Sequence, residues 1–173
     1  MSSKHTTEET LGIGGQGPHL KTRISSSGEL VTSTVWGPRE IDIQIFLVNE
    51  LRDKGFDVTA EATLFTPAKE RCRVDILVAY RDKNIEIIEV KSPGHPIHDY
   101  KYQFTRQYHR YTGLGLPISF IASENAAYRI LELCRPPEDC LDNYGLVGGI
   151  FKSARLGGAL RVQPQSPETY CAW

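Results

Sequence analysis

Apolar residues between Pro38 and Lys54 recur every three to four positions, which is the spacing of one face of an α-helix. Pro38 suits the first turn of such a helix, and Gly55 suits its end. Apolar side chains also occur away from the main stripe, so we expect this helix to be covered on more than one side. The residues that share the main stripe are Ile41, Ile45 and Val48.

The segments that follow show the alternation of apolar and polar residues that is typical of β-strands. Three strands are predicted, Phe56–Leu64, Cys72–Tyr80 and Ile85–Lys91. The second and third are joined by the polar sequence Arg81–Asn84. A short polar connection of this kind is typical of a hairpin, so we expect these two strands to pair antiparallel.

Proline and glycine residues divide the rest of the chain into further elements. His98–Thr112 and Glu124–Leu133 are predicted helices, and Ile118–Ala122 between them is a predicted buried strand. Gly145–Val162 is interpreted as a glycine-rich hairpin. The order of helix, three strands, helix, strand and helix predicts an α/β fold, in which helices flank both sides of a central mixed β-sheet.

The length and composition of the chain bound its domain organisation. It has 173 residues, of which 40% are hydrophobic, so it can form one domain with a sizeable core. Residues 1–28 are rich in Gly, Ser and Thr and are predicted to be a flexible N-terminal segment. Residues 29–162 are predicted to form the single domain, and residues 163–173 a C-terminal tail.

The formal net charge is −1, so no strong overall field draws the protein to a polyanion. Binding of nucleic acid would then need a local basic patch, or metal ions that offset phosphate charge. The sequence shows no membrane-spanning apolar run and no apolar secretion signal near its start, so we expect a cytoplasmic protein. In that compartment its cysteines are expected to be reduced thiols, namely Cys72, Cys134, Cys140 and Cys171.

Three charged residues interrupt two of the apolar strands. Asp75 lies in the second predicted strand, and Glu89 and Lys91 lie two residues apart in the third. Because strand side chains alternate between faces, pairing through the hairpin can bring all three to one side of the sheet. Three charges among β-branched residues are costly without a purpose. Two carboxylates and a nearby backbone carbonyl, that of Val90, are hard ligands that favour Mg²⁺ or Mn²⁺ and suit phosphodiester hydrolysis.

This order of residues resembles the PD-(D/E)xK nuclease superfamily. Asp75 matches the first acidic residue of that family and Glu89-Val90-Lys91 matches its ExK motif, whereas Val74 stands where many members have proline. The segment Gln107–Tyr111 is similar to the Q-h-x-x-Y motif of the RecB-like branch. The resemblance covers roughly Pro38–Ala122, and it implies a restriction-endonuclease-like core that hydrolyses DNA with bound metal.

The resemblance also implies a role for each residue. Asp75 and Glu89 would bind one or two Mg²⁺ or Mn²⁺ ions, and Glu40 on the first helix would be a further metal contact. Lys91 would position water or stabilise the transition state. Two helix residues complete the implied catalytic set, Gln107 and Tyr111. A basic strip on the same helix is a candidate phosphate-binding surface, formed by Lys101, Arg106 and Arg110.

Each part of this pattern also has a simpler explanation. Asp75 could be a surface carboxylate on an edge strand, and Glu89 and Lys91 could be ordinary charges on a solvated sheet face. Gln107 and Tyr111 could belong to an ordinary amphipathic helix, whose basic residues are then merely solvated. The sequence leaves these alternatives open.

We expect DNA as the partner and an endonuclease rather than an exonuclease, with a homodimer as a possible assembly. The alternatives are a sequence-specific restriction or homing-type enzyme or a structure-directed endonuclease that acts as a dimer, and a catalytically inactive nuclease-fold scaffold. We do not expect an iron–sulfur cluster, because Cys72 lies on the same strand as Asp75 and Cys171 is far along the chain from Cys140.

Overall fold

The computed structural model describes residues 18–25, 27–92, 110–111, 113–148 and 159–162 of the chain. The elements, in chain order, are strands β1 Pro18–Ile24 and β2 Leu30–Trp36, helix α1 Glu40–Asp53, strands β3 Asp57–Phe65, β4 Arg71–Tyr80, β5 Lys83–Val90 and β6 Ile118–Ile121, helix α2 Glu124–Leu133, a 3₁₀ helix Pro137–Asp142, and strand β7 Ala159–Val162. Most of the predicted helix His98–Thr112 lies outside the described residues, although Arg110 and Tyr111 are helical.

Five strands form a mixed sheet in the order β3-β4-β5-β6-β7. The neighbours β3, β4 and β5 are antiparallel, β6 runs parallel to β5, and β7 runs antiparallel to β6. The structure therefore confirms the predicted α/β class, with a mixed sheet flanked by helices.

The hairpin between β4 and β5 sets the register of the whole site. Arg81 and Asp82 have φ values of 47° and 62°, so the turn has two left-handed residues, which suits the twist of an antiparallel pair. The predicted turn was two residues longer, because it included the first two residues of β5. A register shift follows, and it leaves Ile85 as the extra residue of a β-bulge. Ile85 and Glu86 are both buried, as is every residue from Ile85 to Val90 of this central strand.

Helix α1 packs on the sheet through one wide face and also contacts α2. Ile43, Leu47 and Leu51 are fully buried in this contact. Ile41 and Ile45, which the sequence analysis assigned to the main apolar stripe, are 44% and 53% exposed. The assignment was wrong for these two residues, because they lie away from the buried face, which includes Ile43 and Leu47, whereas Val48 of the same predicted stripe is buried.

The buried apolar residues form two clusters. The larger cluster lies between α1, α2 and the sheet, and includes Leu47, Leu51, Ile76, Ile88 and Ile130. The smaller cluster gathers residues of β4, β5 and β6 around Tyr111, and includes Cys72, Val74, Ile87 and Phe120. The central strands are thus covered by apolar side chains of both clusters, which is why charged groups among them need specific partners.

Two segments differ from the sequence prediction. Strand β1 lies within the segment 1–28 that was expected to be flexible, and it pairs antiparallel with β2. The β-branched residues of β2 and the left-handed Gly28 at the turn favour this hairpin. Of the expected hairpin Gly145–Val162, residues 149–158 lie outside the described residues, and Ala159–Val162 pairs with β6. No helix in the described part of the chain is long and apolar enough to cross a membrane.

Candidate active site

Asp75 and Glu89 face each other where the β4–β5 ladder gives way to side-chain hydrogen bonds. The last backbone pair of the ladder is Ile76 with Ile88. One residue further along each strand, the Asp75 N–H donates to Glu89 Oε1 at 3.2 Å. The N–H of Val90 donates to Asp75 Oδ2 at 2.8 Å. Each carboxylate is therefore held by a backbone amide of the opposite strand, and the two lie on the same side.

Lys91 lies beside this carboxylate pair. Its Nζ is 3.5 Å from Glu89 Oε2, and the two side chains are 21% and 3% exposed. The backbone of Lys91 is fixed by its N–H, which donates to the carbonyl of Ile121 at 2.7 Å. The structure thus brings together the three residues that strand alternation placed on one side.

The electrostatics of the pair are dominated by burial. Burial raises the pKa of Glu89 to about 7, with a further contribution from the negative charge of Asp75, whereas Lys91 acts in the opposite direction. Burial also raises the pKa of Asp75, against the opposing effects of the Val90 amide and Lys91. A buried carboxyl, Glu89, and a partly buried one, Asp75, therefore share one neighbouring amine, and a cation at this pair would favour the charged form of both.

Tyr111 supports the pair from the helix that follows. Its side chain is 3% exposed, and its hydroxyl donates to the carbonyl of Arg73 at 2.8 Å. Burial raises the pKa of Tyr111, and the charge of Glu89 raises it further. The hydroxyl therefore stays protonated, and its proximity to Glu89 lowers the pKa of that carboxyl.

Helix α1 contributes two polar side chains. Nε2 of Gln44 donates to the carbonyl of Asp75 at 3.0 Å, and Gln44 is 6% exposed. Oε1 of Glu40 accepts from the hydroxyl of Ser92 at 2.8 Å. The charge of Glu40 raises the pKa of Asp75, so Glu40 lies near the carboxylate pair, at its exposed rim.

Sequence analysis missed Glu61 on β3. Its Oε1 accepts from Gln44 Nε2 at 3.3 Å, and its Oε2 accepts from Arg73 Nε at 2.7 Å. The charge of Glu61 also raises the pKa of Asp75. The only signal in the sequence was a carboxylate in the middle of a strand, and it acquires meaning only when the β3–β4 register places it opposite Asp75.

The remaining predicted site residues make fewer contacts or lie outside the described residues. Arg110 is exposed, and its carbonyl accepts from Cys72 Sγ at 3.5 Å. Val90 contributes its amide to Asp75. The predicted residues that lie outside the described part of the chain are Gln107, Lys101 and Arg106.

Two of the cysteines of the described residues lie near the same carbonyl. Cys134 Sγ and Cys140 Sγ approach the same carbonyl, that of Arg135, at 3.5 Å and 3.9 Å. Cys72 is buried on β4, and Cys171 lies outside the described residues. Burial raises the pKa values of Cys134 and Cys140 to about 12 and about 11, so these two thiols are protonated at neutral pH.

Within the described ranges, no three His, Cys, Asp or Glu side chains form a ready metal-binding group. Comparison of the chain with protein-family models, with curated proteins and with solved structures finds no match in any of the three. Any function must therefore be inferred from the chemistry of Asp75, Glu89 and Lys91.

Proposed function

We propose that this chain is a metal-dependent nuclease with a restriction-endonuclease-like core, and that it hydrolyses DNA phosphodiester bonds. The observation that carries the proposal is the geometry of three residues. The carboxylates of Asp75 and Glu89 each accept a hydrogen bond from a backbone amide of the opposite strand. Lys91 Nζ lies 3.5 Å from Glu89. A purely structural sheet has no need to place a partly buried carboxylate against a buried one, since that arrangement costs free energy.

The donor set fits a hard divalent cation. Asp75 and Glu89 would hold Mg²⁺ or Mn²⁺, with Glu40 and the carbonyl of Val90 as additional oxygen donors. Asp75 Oδ2 and Glu89 Oε1 each accept one backbone amide, and Glu89 Oε2 lies 3.5 Å from Lys91 Nζ, so a cation at the pair would be held beside the ammonium. When bound, the cation would supply charge that offsets and polarises the scissile phosphate.

Lys91 is better placed than Glu89 to meet substrate. Its side chain is 21% exposed, whereas that of Glu89 is 3% exposed. Its ammonium can hold a water molecule near the phosphate, or stabilise the negative charge that develops on the phosphate oxygens. Tyr111 and Gln44 hold the backbone on either side of Asp75, and so keep the carboxylate aligned with the ammonium.

The test is cleavage of supercoiled and linear DNA by the purified protein with Mg²⁺ or Mn²⁺. We expect Lys91→Ala and Asp75→Ala each to reduce cleavage by about 100-fold or more. Lys54→Ala is the matched control, because Lys54 is the C-cap of α1, at the end away from Glu40. This variant should cleave DNA like the wild type. Undiminished cleavage by both site variants would contradict the proposal, and opening of the circular substrate distinguishes an endonuclease from an exonuclease.

A further inference from the structure

Glu61 has a backbone conformation that does not belong in a strand. Its φ is 53°, in the left-handed region, although it lies in the middle of β3. The ladder pairs Ala60 with Ile76 and Ala62 with Val74, so Glu61 stands opposite Asp75, and no backbone pair forms between them. The left-handed region is sterically unfavourable for a residue with a side chain, so something must hold Glu61 there.

The side chain of Glu61 hydrogen-bonds to two residues, Gln44 on α1 and Arg73 on β4. Its Oε1 accepts from Gln44 Nε2 at 3.3 Å, and the same nitrogen donates to the Asp75 carbonyl at 3.0 Å. Its Oε2 accepts from Arg73 Nε at 2.7 Å and Arg73 Nη2 at 2.5 Å. Helix α1 and strand β4 are thereby tied together at Asp75 by one carboxylate.

This network extends beyond Glu61. The carbonyl of Arg73 accepts from the Tyr111 hydroxyl at 2.8 Å. The backbone of Arg73 and Asp75 is therefore held by Tyr111 on one side, and by Glu61 acting through Gln44 on the other. Because Asp75 Oδ2 accepts from the Val90 amide at 2.8 Å, a fixed backbone also fixes the direction of its carboxylate.

Stability alone does not account for this arrangement. The Arg73 and Glu61 side chains are 69% and 44% exposed, and ion pairs that exposed contribute little to the free energy of folding. An unfavourable backbone conformation kept for a weak surface ion pair would be a net loss. Strain of this kind is typical of residues that position a functional group.

We propose that Glu61 is a positioning residue, which holds the Asp75 backbone through Gln44 and Arg73 and so directs the Asp75 carboxylate. The inference rests on the proposed function for its catalytic consequence, but its structural consequence is independent of any activity. Without the Glu61 carboxylate, Gln44 loses one acceptor and Arg73 loses its partner, so the Asp75 segment opens more often.

The structural test is hydrogen exchange at the Asp75 amide, which donates to Glu89 Oε1. We expect this amide to exchange about tenfold faster in Glu61→Ala than in the wild type, and about equally fast in the control Glu70→Ala. Glu70 is an exposed carboxylate in the turn that joins β3 to β4. Unchanged exchange in Glu61→Ala would overturn the positioning role, whatever the protein does to DNA.

The functional test compares Glu61→Ala, Glu61→Gln and Glu70→Ala in Mn²⁺ titration calorimetry and in kcat and KM for DNA cleavage. We expect Glu61→Ala to weaken Mn²⁺ binding and lower kcat by about 10-fold or more, with KM nearly unchanged. Glu61→Gln keeps an acceptor for Gln44 and should recover part of both losses. If Glu61→Ala speeds exchange at Asp75 but the wild type never cleaves DNA, the proposed nuclease function is contradicted and the positioning role is not. If the wild type cleaves DNA and Glu61→Ala cleaves it equally well, the positioning role in catalysis is contradicted and the nuclease function is not.

Discussion

Glu86 and Glu89 lie three residues apart on β5, and they are 0% and 2% exposed. Glu86 Oε1 accepts from the Ser119 hydroxyl at 2.5 Å, and its Oε2 accepts from the Leu146 N–H at 2.7 Å. Glu89 also accepts a backbone amide, but its other neighbours are a second carboxylate and a lysine. Burial alone therefore does not mark a functional carboxylate, and the partners decide which role it has.

The partners of Glu86 tie distant parts of the chain together. Ser119 belongs to β6, and Leu146 follows the 3₁₀ helix, so one carboxylate fixes both against β5. The partners of Glu89 come from the adjacent strand and from its own strand, and they include a like charge. The first arrangement stabilises the fold, whereas the second costs free energy and provides a charged site.

The largest expected difference is in the free energy of unfolding of two alanine variants. Glu86→Ala leaves the buried Ser119 hydroxyl and Leu146 N–H without their acceptor, and we expect a loss of about 3 kcal/mol. Glu89→Ala loses the hydrogen bond from the Asp75 amide but relieves repulsion with Asp75. We therefore expect its free energy of unfolding to fall by less than about 1 kcal/mol. Urea unfolding of both variants measures the difference. Equal losses would show that the two carboxylates do not differ in this way.

The next effect is a pH dependence that belongs to Glu89. Its pKa is raised to about 7 in the folded protein, so between the ordinary carboxyl range and that pH the folded state holds a proton that the unfolded chain has released. The free energy of unfolding should therefore fall as pH rises from the ordinary carboxyl range to about 7, and level off above it. With 1.36 kcal/mol per pKa unit, the fall is at most about 3 kcal/mol.

The measurement is the free energy of unfolding from pH 4 to 8 for the wild type and for Glu89→Gln. We expect the wild type to lose stability relative to Glu89→Gln over this range, because glutamine is neutral at every pH. Asp75 titrates together with Glu89, so the pair shares the transition. A constant difference between the two proteins across the range would contradict the raised pKa.

Sequence reasoning could place Asp75, Glu89 and Lys91 together for a definite physical reason. The polar turn after Tyr80 implied an antiparallel hairpin, and alternation then placed the three side chains on one face. The structure agrees, since Ile76 pairs with Ile88 and the next residues along are Asp75 and Glu89. A local pattern of turn and alternation is sufficient when both strands belong to one hairpin.

The role of Glu86 could not be read in the same way. Alternation does not distinguish a buried face from an exposed face on β5, because every residue from Ile85 to Val90 is buried. The Glu86 partners Ser119 and Leu146 are 33 and 60 residues away in sequence, so only tertiary structure brings them together. The left-handed conformation of Glu61 is likewise invisible in sequence, because nothing in its residue type favours that region of φ.

The smallest expected effect comes from deleting one hydroxyl beside each buried carboxylate. Ser119→Ala removes a donor to Glu86, and Tyr111→Phe removes the hydroxyl that donates to the Arg73 carbonyl and lies near Glu89. Each deletion should reduce the free energy of unfolding by about 1 kcal/mol.

The two variants should differ in a second property, the pKa of Glu89. The Tyr111 hydroxyl lowers this pKa, so its loss should raise the pKa above about 7. Carbon-detected NMR titration of the Glu89 carboxyl measures this shift, and Ser119→Ala should leave it unchanged. A Glu89 pKa that is the same in Tyr111→Phe and the wild type would mean that Tyr111 supports the strand through Arg73 alone.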